Sequence, residues 1–382
     1  MRKWKWFLII LLALIACYNI WSLTGRATAL SFNNQIIAPA KKEVVSFGID
    51  SGKGNIIGIQ PLLNQYQYAD TAILTKALDA YFLLAKENKL LQPNTVVVFP
   101  EYIGSWLVVA NEKKQVFEQK NITDAMVQMV SSNVFTFLYH YFSAPAVKDK
   151  IKYAVFGMQA KKMAACYQQV FGSLAKKYKV TIVAGSIVLP DATINKSNAI
   201  TLNGKNLYNT AAVFEPDGLP ANPLIKKIFP VNDEAGFSGC GETTQQPFFN
   251  TGAGKMGVLI CADSWYPAAY QSFNNQIKFI AVPSLGSTDD IWLAPWNGYN
   301  GFKAPADVDT TDYKKISEGD AWKKYSMGPR ATKAGILYGM NIFFTGSLWD
   351  KKSEGRALIL ENGQLRELIP ALKGRIINLW LR

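Results

Sequence analysis

The chain has 382 residues, 49% of them apolar, with one histidine and four cysteines. That is ample for one large core or two smaller ones, and it excludes a metal site built on two or three imidazoles. Lys and Arg outnumber Asp and Glu by 41 to 28, a formal charge of +13. Because the cations are scattered and form no runs of five or six, they fit a basic solvated surface, an anionic membrane face or an anionic substrate, and no nucleic-acid partner is expected.

The chain opens on "MRKWKWFLIILLALIACYNIWSL", where Arg2, Lys3 and Lys5 precede an uncharged run from Trp6 to Leu23 of 18 residues. At about 1.5 Å per residue that run is close to the width of a bilayer's hydrocarbon layer. Trp4, Trp6, Tyr18 and Trp21 suit the two interfaces, and the positive flank stays in the cytoplasm. The remainder is then expected at the cell membrane on its extracytoplasmic, periplasmic side. The same stretch also reads as a signal. "LIAC" at 14–17 is similar to the end of a bacterial lipoprotein signal, which would make Cys17 a lipidation site, and a plainly cleaved signal is the third option. Residues 1–23 are therefore set apart as an anchor or signal segment, 24–45 as a linker and 46–382 as the folded domain.

Within that domain strands alternate with helices. "NIIGIQ" (55–60), "TVVVFP" (95–100), "KYAVFG" (152–157) and "VTIVAGSIVLP" (180–190) are short and apolar, as strands buried on both faces are. "YADTAILTKALDAYFLLAKENKL" and "KKMAACYQQVFGSLAKKYK" carry apolar residues at helical spacing. From about 198 hairpins are expected, because "AITLNGKNLYNTAAVFEPDG" and "RALILENGQLREL" each hold an Asn-Gly pair between strand-like flanks. Strands resume at 256–260, 277–282 and 341–346. The sum is one α/β domain with two packed sheets covered by helices.

A Ser-His-Asp or Cys-His arrangement would rest entirely on His140, in "FTFLYHYF", which reads better as a packed or surface histidine. "GIDSGKGNIIG" at 48–58 lacks the spacing of either Gly-rich nucleotide motif, so any general base is expected to be a carboxylate. Cys17 belongs to the first segment and Cys166 reads as a small buried helix residue. Cys240 lies in "GFSGCGE"; a disulfide with Cys166 is permitted outside the cytoplasm but not assigned. Cys261 is different, because "KMGVLICADSWYP" runs an apolar strand straight into it, at the edge of a sheet where ligands bind. A thiol nucleophile needs a base, and its developing oxyanion needs a cation. "TVVVFPEYIG" delivers Glu101 at a strand end, and "NPLIKKIFPVNDE" supplies Lys226 and Lys227 with Glu234 downstream.

In the order Glu, Lys, Cys these residues resemble the nitrilase, or carbon-nitrogen hydrolase, superfamily. The resemblance runs through "IIGIQP", "VVFPE", "IVAGS", "YNTAAVFEPDG", "IKKIFPVNDE", "GVLICADSWYP" and "GPRATKAGILYGMNIFFTGS". It implies a four-layer α-β-β-α sandwich, preceded here by a single hydrophobic N-terminal helix. Also implied are Glu101 as general base, Cys261 as nucleophile, one lysine as oxyanion stabiliser and no cofactor or metal. The Lys-x-x-Pro spacing and the downstream acid select Lys227 with Glu234 beside it; Lys226 is the alternative, since Ile225, Ile228 and Phe229 depart from the family's usual neighbourhood. Backbone N–H groups near Ala262 share the oxyanion. Tyr102, Trp265 and Trp292 are candidate pocket walls, and the acid after the nucleophile, Asp263, reads as structural. Family members commonly dimerise, so a homodimer is the implied assembly.

The expected activity is hydrolysis of an amide or nitrile, a carbon-nitrogen bond other than a peptide bond, through a cysteine thioester on a membrane-tethered domain. Acyl transfer to an amine, as in the apolipoprotein N-acyltransferase branch of the superfamily, and a non-catalytic membrane-held binding protein are the alternatives. The polar segment 287–325 is expected to be a solvated loop, with a lid or partner surface as the other reading.

Overall fold

The computed structural model describes residues 2–28, 31–32, 42–243, 246–286 and 289–382. Two six-stranded sheets dominate it. In the first, Glu43–Phe47, Arg375–Trp380, Asn55–Gln60, Thr95–Val98, Thr181–Val183 and Val213–Phe214 lie side by side in that order. The second runs Phe248–Thr251, Gly254–Val258, Phe279–Ser284, Tyr338–Phe343, Leu358–Glu361 and Gln364–Glu367. Parallel pairing joins Asn55–Gln60 to Thr95–Val98 and Thr95–Val98 to Thr181–Val183 in one sheet. In the other it joins Gly254–Val258, Phe279–Ser284 and Tyr338–Phe343. These strands are apolar on both faces because each sheet is covered twice.

The sheets pack face to face. Ile56, Val96 and Val98 of the first share a core with Val258, Ile280 and Ile342 of the second. A side chain at Gly58 would strike Met340 and Ile342 of the opposite sheet, so a hydrogen there sets how closely the two layers approach. The outer face of the first sheet carries the helices Thr71–Glu87 and Lys150–Tyr178, which bury Leu74, Leu78, Phe82, Val170, Phe171 and Leu174. Both helices are started by an aspartate: Asp70 accepts from the Ala72 N–H at 2.7 Å and Asp149 from the Lys152 N–H at 2.9 Å.

Several local expectations change. "KYAVFG" at 152–157 is not a strand but lies inside the helix Lys150–Tyr178. It has a single β-branched residue, and the Asp149 cap upstream commits it to a helix that buries more than one face. The run 180–190 is two strands, Thr181–Val183 and Ile187–Ile194, parted at Gly185. Gly185 has φ +66°, and a Cβ there would collide with the Pro100 carbonyl, so the break lets the next strand end come alongside. The Asn203-Gly204 pair makes no turn: Ile200–Ala211 runs through it, opposite a register shift between Pro190 and Ala192. Gly204 faces the Asp191 side chain at that irregularity, marking a bulge. At Asn362-Gly363 the expected hairpin does form, both residues taking positive φ between Leu358–Glu361 and Gln364–Glu367. Strands expected at 256–260, 277–282 and 341–346 occupy 254–258, 279–284 and 338–343.

Arg2–Leu23 is one continuous helix whose apolar side chains from Phe7 to Leu14 are exposed, and its end is tied to the domain. The Tyr18 hydroxyl donates to the Ser131 carbonyl at 3.0 Å and accepts from the Val134 N–H at 3.0 Å, and Ser22 Oγ donates to the Ser132 carbonyl at 2.6 Å. Arg26 pairs at 3.0 Å with Glu112, a fully buried carboxylate that also holds Lys162, Gln159 and Asn133. All four cysteines are free, so no Cys166–Cys240 bond is present.

Candidate active site

The parallel strands of the two sheets end on a common edge, as expected for ligand sites in open α/β sheets. From the first sheet Thr95–Val98 runs on to Glu101; from the second, Gly254–Val258 runs on to Cys261 and Phe279–Ser284 to Leu285. The Glu101 N–H donates to the Ser284 carbonyl at 3.3 Å, stitching the two edges together. Cys261 opens a tight 3-10 turn, Cys261–Trp265, at φ +49°, and Tyr102 beside Glu101 sits at φ +62°. Non-glycine residues held in the left-handed region cost of order 1–3 kcal/mol each and cluster at functional sites.

Glu101, Lys227 and Glu234 form a buried chain. Lys227 Nζ donates to Glu101 Oε1 at 2.8 Å and to Glu234 Oε2 at 2.6 Å, with all three side chains at most 4% exposed. Asn209 Nδ2 bridges the same carboxylates, 2.8 Å from Glu101 Oε1 and 2.8 Å from Glu234 Oε1. The second oxygen of Glu101 accepts from the Leu285 N–H at 3.0 Å, and the carboxyl shares the cavity lining with the Cys261 thiol. Glu234 Oε1 accepts from the Tyr102 hydroxyl at 2.6 Å. Structure thus places Lys227 in the site. Lys226 points the other way, to Asp191 at 2.6 Å and over the Tyr208 ring, because successive residues of an extended segment face opposite sides.

The two carboxyls are driven apart. Burial raises Glu101, outweighing the attraction of Lys227 and reinforced by the charge of Glu234. For Glu234 burial also pushes upward, but the Lys227 ammonium, the Tyr102 hydroxyl and the Val231 N–H overcome it and hold the carboxyl below its ordinary value. Lys227 is displaced well upward by Glu101, Glu234 and Cys261 despite burial, so it stays charged. Glu234 is therefore the carboxyl held more firmly as the counter-ion of Lys227, and Glu101 the one more ready to take up a proton. Burial, then the charge of Glu101, raises the Cys261 thiol above its ordinary value. Burial and the neighbouring carboxyl thus disfavour a preformed thiolate.

Asp263 is fully buried and binds backbone only. Its Oδ1 accepts from the Ile228 and Phe229 N–H groups at 2.9 and 2.8 Å, and its Oδ2 from the Ile260 N–H at 3.3 Å. It thereby clamps the residues after Lys227 to the turn that carries Cys261. Its carboxyl is pushed up to about 7, burial prevailing over Lys227 and the three N–H donors. A folded value above the unfolded one contributes stability that is fully present below about pH 4 and is lost as pH rises. Asp263→Asn keeps an acceptor for Ile228 and Phe229 and removes that titration. Thermal melts from acid to neutral pH are expected to vary less than those of the parent, with the sharpest difference as pH approaches 7.

Above these groups opens a cavity of about 940 Å³. Glu101, Lys227, Glu234, Cys261 and Ala262 line it, together with all three proposed wall residues, Tyr102, Trp265 and Trp292. Sequence reasoning missed much of the rest. Trp296 and Trp322, both buried, complete an aromatic wall in which Trp265 lies 4.8 Å edge-on from Trp322 and 5.8 Å stacked from Trp296. Trp292, Trp296 and Trp322 come from 289–325 and are buried, so that segment is not a solvated loop. Its tryptophans bury against Trp265 and Phe343, folding it into the helices Asp289–Leu293 and Glu318–Tyr325; 287 and 288 lie outside the described residues. Glu318, also lining the cavity, is raised by burial to about 7. Asn209 had a legible signal, since Leu207, Asn209 and Ala211 alternate along a strand and a polar residue on a buried face needs a partner. His140 packs against Gly157 and is not among the cavity residues. Among the described residues no group of three or more His, Cys, Asp or Glu is placed to hold a metal.

Comparison with known proteins bears on this arrangement. The family described as carbon-nitrogen hydrolase matches residues 57–282, more than half of the chain. The chain belongs to the carbon-nitrogen hydrolase family. This carbon-nitrogen hydrolase is similar in fold to the NitN amidase of Nesterenkonia sp. AN1, with a TM-score of 0.51 at 12% identity over 86% of this chain and 92% of that one. A cysteine-to-serine variant of the Nesterenkonia AN1 amidase from the nitrilase superfamily gives 0.54 at 12% identity, covering 88% and 94%. Nit3 of Saccharomyces cerevisiae, a member of branch 10 of that superfamily, aligns at 17% identity over 85% and 88% with a TM-score of 0.48. None of the curated protein sequences matches the chain. The hydrolase fold is accordingly the expected mixed α/β domain, with its apolar N-terminal helix attached.

Proposed function

We propose that this carbon-nitrogen hydrolase cleaves a small-molecule amide through a thioester on Cys261. The observation that carries the reading is the meeting of Cys261 and Glu101 in one cavity, with the Glu101 carboxyl bonded to the buried Lys227 ammonium at 2.8 Å. Glu101 takes the thiol proton as sulfur attacks the carbonyl carbon. The negative charge that develops on oxygen is met by Lys227, whose charge is fixed before reaction, and by backbone N–H groups near Ala262. Glu101 passes its proton to the departing amine, the C–N bond breaks, and a thioester remains. Water then gives Glu101 a proton as it attacks the thioester carbon, the C–S bond breaks to release the acid, and Glu101 returns that proton to the Cys261 sulfur. The aromatic wall keeps bulk water from competing at the buried charges.

The reading extends to the chain's organisation: 1–23 a membrane anchor, 24–45 a connection and 46–382 the hydrolase domain. Three cations before the apolar run support an extracytoplasmic domain. Intact mass spectrometry after incubation with pooled amides, nitriles and acyl donors tests the chemistry. A mass increase equal to the acyl group, mapped to Cys261, is expected; its absence across the pool sinks the thioester. The same spectrum reads the N-terminus, since a chain beginning at a lipidated Cys17 weighs differently from one that retains the helix. Supplying water together with an amine acceptor and weighing the products separates hydrolysis from acyl transfer.

A further inference from the structure

The helix Val134–Phe142, "VFTFLYHYF", has no buried residue. Phe135, Leu138, Tyr139 and Phe142 recur at positions i, i+3, i+4 and i+7, one stripe of a helix, and are 55%, 40%, 68% and 78% exposed. In a water-soluble domain such a stripe faces the core; here it faces out. Exposed apolar residues also lie on the helices before and after it, Val127 and Ile151, and Lys148 and Lys150 are exposed in the stretch leading to Ile151.

Its position relative to the N-terminal helix decides what covers it. Phe135, the first residue of the stripe, packs edge-on against Tyr18 at 5.2 Å, and the Tyr18 hydroxyl is bonded at both Ser131 and Val134, where the aromatic helix begins. Ser22 fixes the neighbouring Ser132. Tyr18 lies five residues before the end of Arg2–Leu23, about 8 Å along its axis at the helical rise. If the N-terminal helix crosses a bilayer, the stripe is held at the depth where Tyr18 and Trp21 sit, the headgroup boundary. That is the depth amphipathic helices occupy when they lie flat on a membrane, with aromatic residues inward and lysines toward anionic headgroups.

We propose that Val134–Phe142 is a second membrane contact, an interfacial helix that lies in the bilayer surface beside the anchor and fixes the orientation of the hydrolase domain. The proposal rests on the reading of Arg2–Leu23 as membrane-embedded. Two points on the surrounding elements reach the cavity rim: the Ile122 N–H donates to Asp350, next to the cavity residues Lys351 and Lys352, and Asp149 bonds Gly236, close to Asp233 and Glu234. A domain held by both contacts therefore keeps one fixed relation between membrane and pocket, where a single tether would let it swing.

The test uses the full chain with Cys17, Cys240 and Cys261 replaced by serine, in vesicles of phosphatidylcholine and phosphatidylglycerol. Single nitroxide labels are placed at Leu8→Cys, Phe142→Cys and Lys176→Cys, and collisions with oxygen and with a water-soluble nickel chelate are compared. The expected result is loss of nickel collisions with retained oxygen collisions at 8 and 142, and full nickel access at 176. Nickel access at 142 equal to that at 176, with position 8 in lipid, overturns the interfacial helix and leaves the anchor standing. Protection of 142 from both quenchers means that protein, such as a second copy of this chain, covers the stripe, and also overturns it. Nickel access at 8 removes the anchor and the proposal together. Tyr139→Cys repeats the measurement on the same stripe.

Discussion

Lys227→Met is expected to destabilise the folded domain by about 3–5 kcal/mol, the range for removing one partner of a buried ion pair. Lys227 is 1% exposed, and with it gone Glu101 and Glu234 share one dry site with only Asn209 between them. Two carboxylates so placed cannot both ionise, so in the variant their folded values rise above the unfolded carboxylate value. A raised value gives stability that is present at acid pH and lost as pH climbs, so the variant is expected to melt highest in mild acid. In the parent the sign is the same but the window differs: Lys227 lies well above its ordinary value, so its contribution is complete throughout the neutral range and is lost only in strong alkali. Glu234→Gln added to Lys227→Met is expected to recover part of the melting temperature and none of the turnover. Thermal melts of both variants between pH 5 and about 8 check this, the range in which proteins are ordinarily most stable. A melt for Lys227→Met that matches the parent at neutral pH would show that the ammonium is not the partner of these carboxylates.

Cys261→Ala is expected to reduce amide turnover by at least about 10³-fold, as loss of a nucleophile does in enzymes whose catalytic groups act as a unit. Because Cys261 is buried yet small, and alanine relieves neither its neighbours nor the Glu101–Lys227 pair, the melting temperature should stay close to that of the parent. Full turnover on amides by Cys261→Ala would end the proposal. The base leaves its own trace. Glu101 must be unprotonated to take the thiol's proton, and burial holds it above the usual glutamate value. The acid limb of kcat/KM should therefore lie at higher pH than an exposed glutamate would give, with rate falling as pH drops through it. Glu101→Gln is expected to abolish that limb along with most of the rate.

Residues whose role depends on local pattern were readable in the chain. An uncharged run after three cations announces Arg2–Leu23 whatever it packs against, since length and hydropathy alone set that outcome. Apolar runs that terminate on Glu101 and Cys261 marked the strand ends, and "IKKIFPVNDE" kept Lys227 and Glu234 within one short stretch. Aromatic content marked Tyr102, Trp265 and Trp292 as wall residues, and all three reach the cavity. The chain's membership in the carbon-nitrogen hydrolase family was legible for the same reason: it lies in short segments read in order.

Tertiary structure decided whatever depends on which segments meet. Lys226 and Lys227 are chemically identical, and only the pairing of Ile225–Lys226 with Ile200–Ala211 turns one toward Asp191 and the other toward Glu101. "KYAVFG" became helix because the Asp149 cap and the long helix outweighed a six-residue preference, and Asn203-Gly204 became a bulge because Asp191 opposes it. The segment after Asp289 looked like polar loop because its tryptophans are spaced too irregularly for either periodicity; packing on Trp265 and Phe343, far away in sequence, orders it. The opposite displacement of Glu101 and Glu234 has the same origin. Composition assigns both the same carboxyl, and only burial, the Lys227 ammonium and the Tyr102 hydroxyl, brought together from separate strand ends, displace one upward and the other downward.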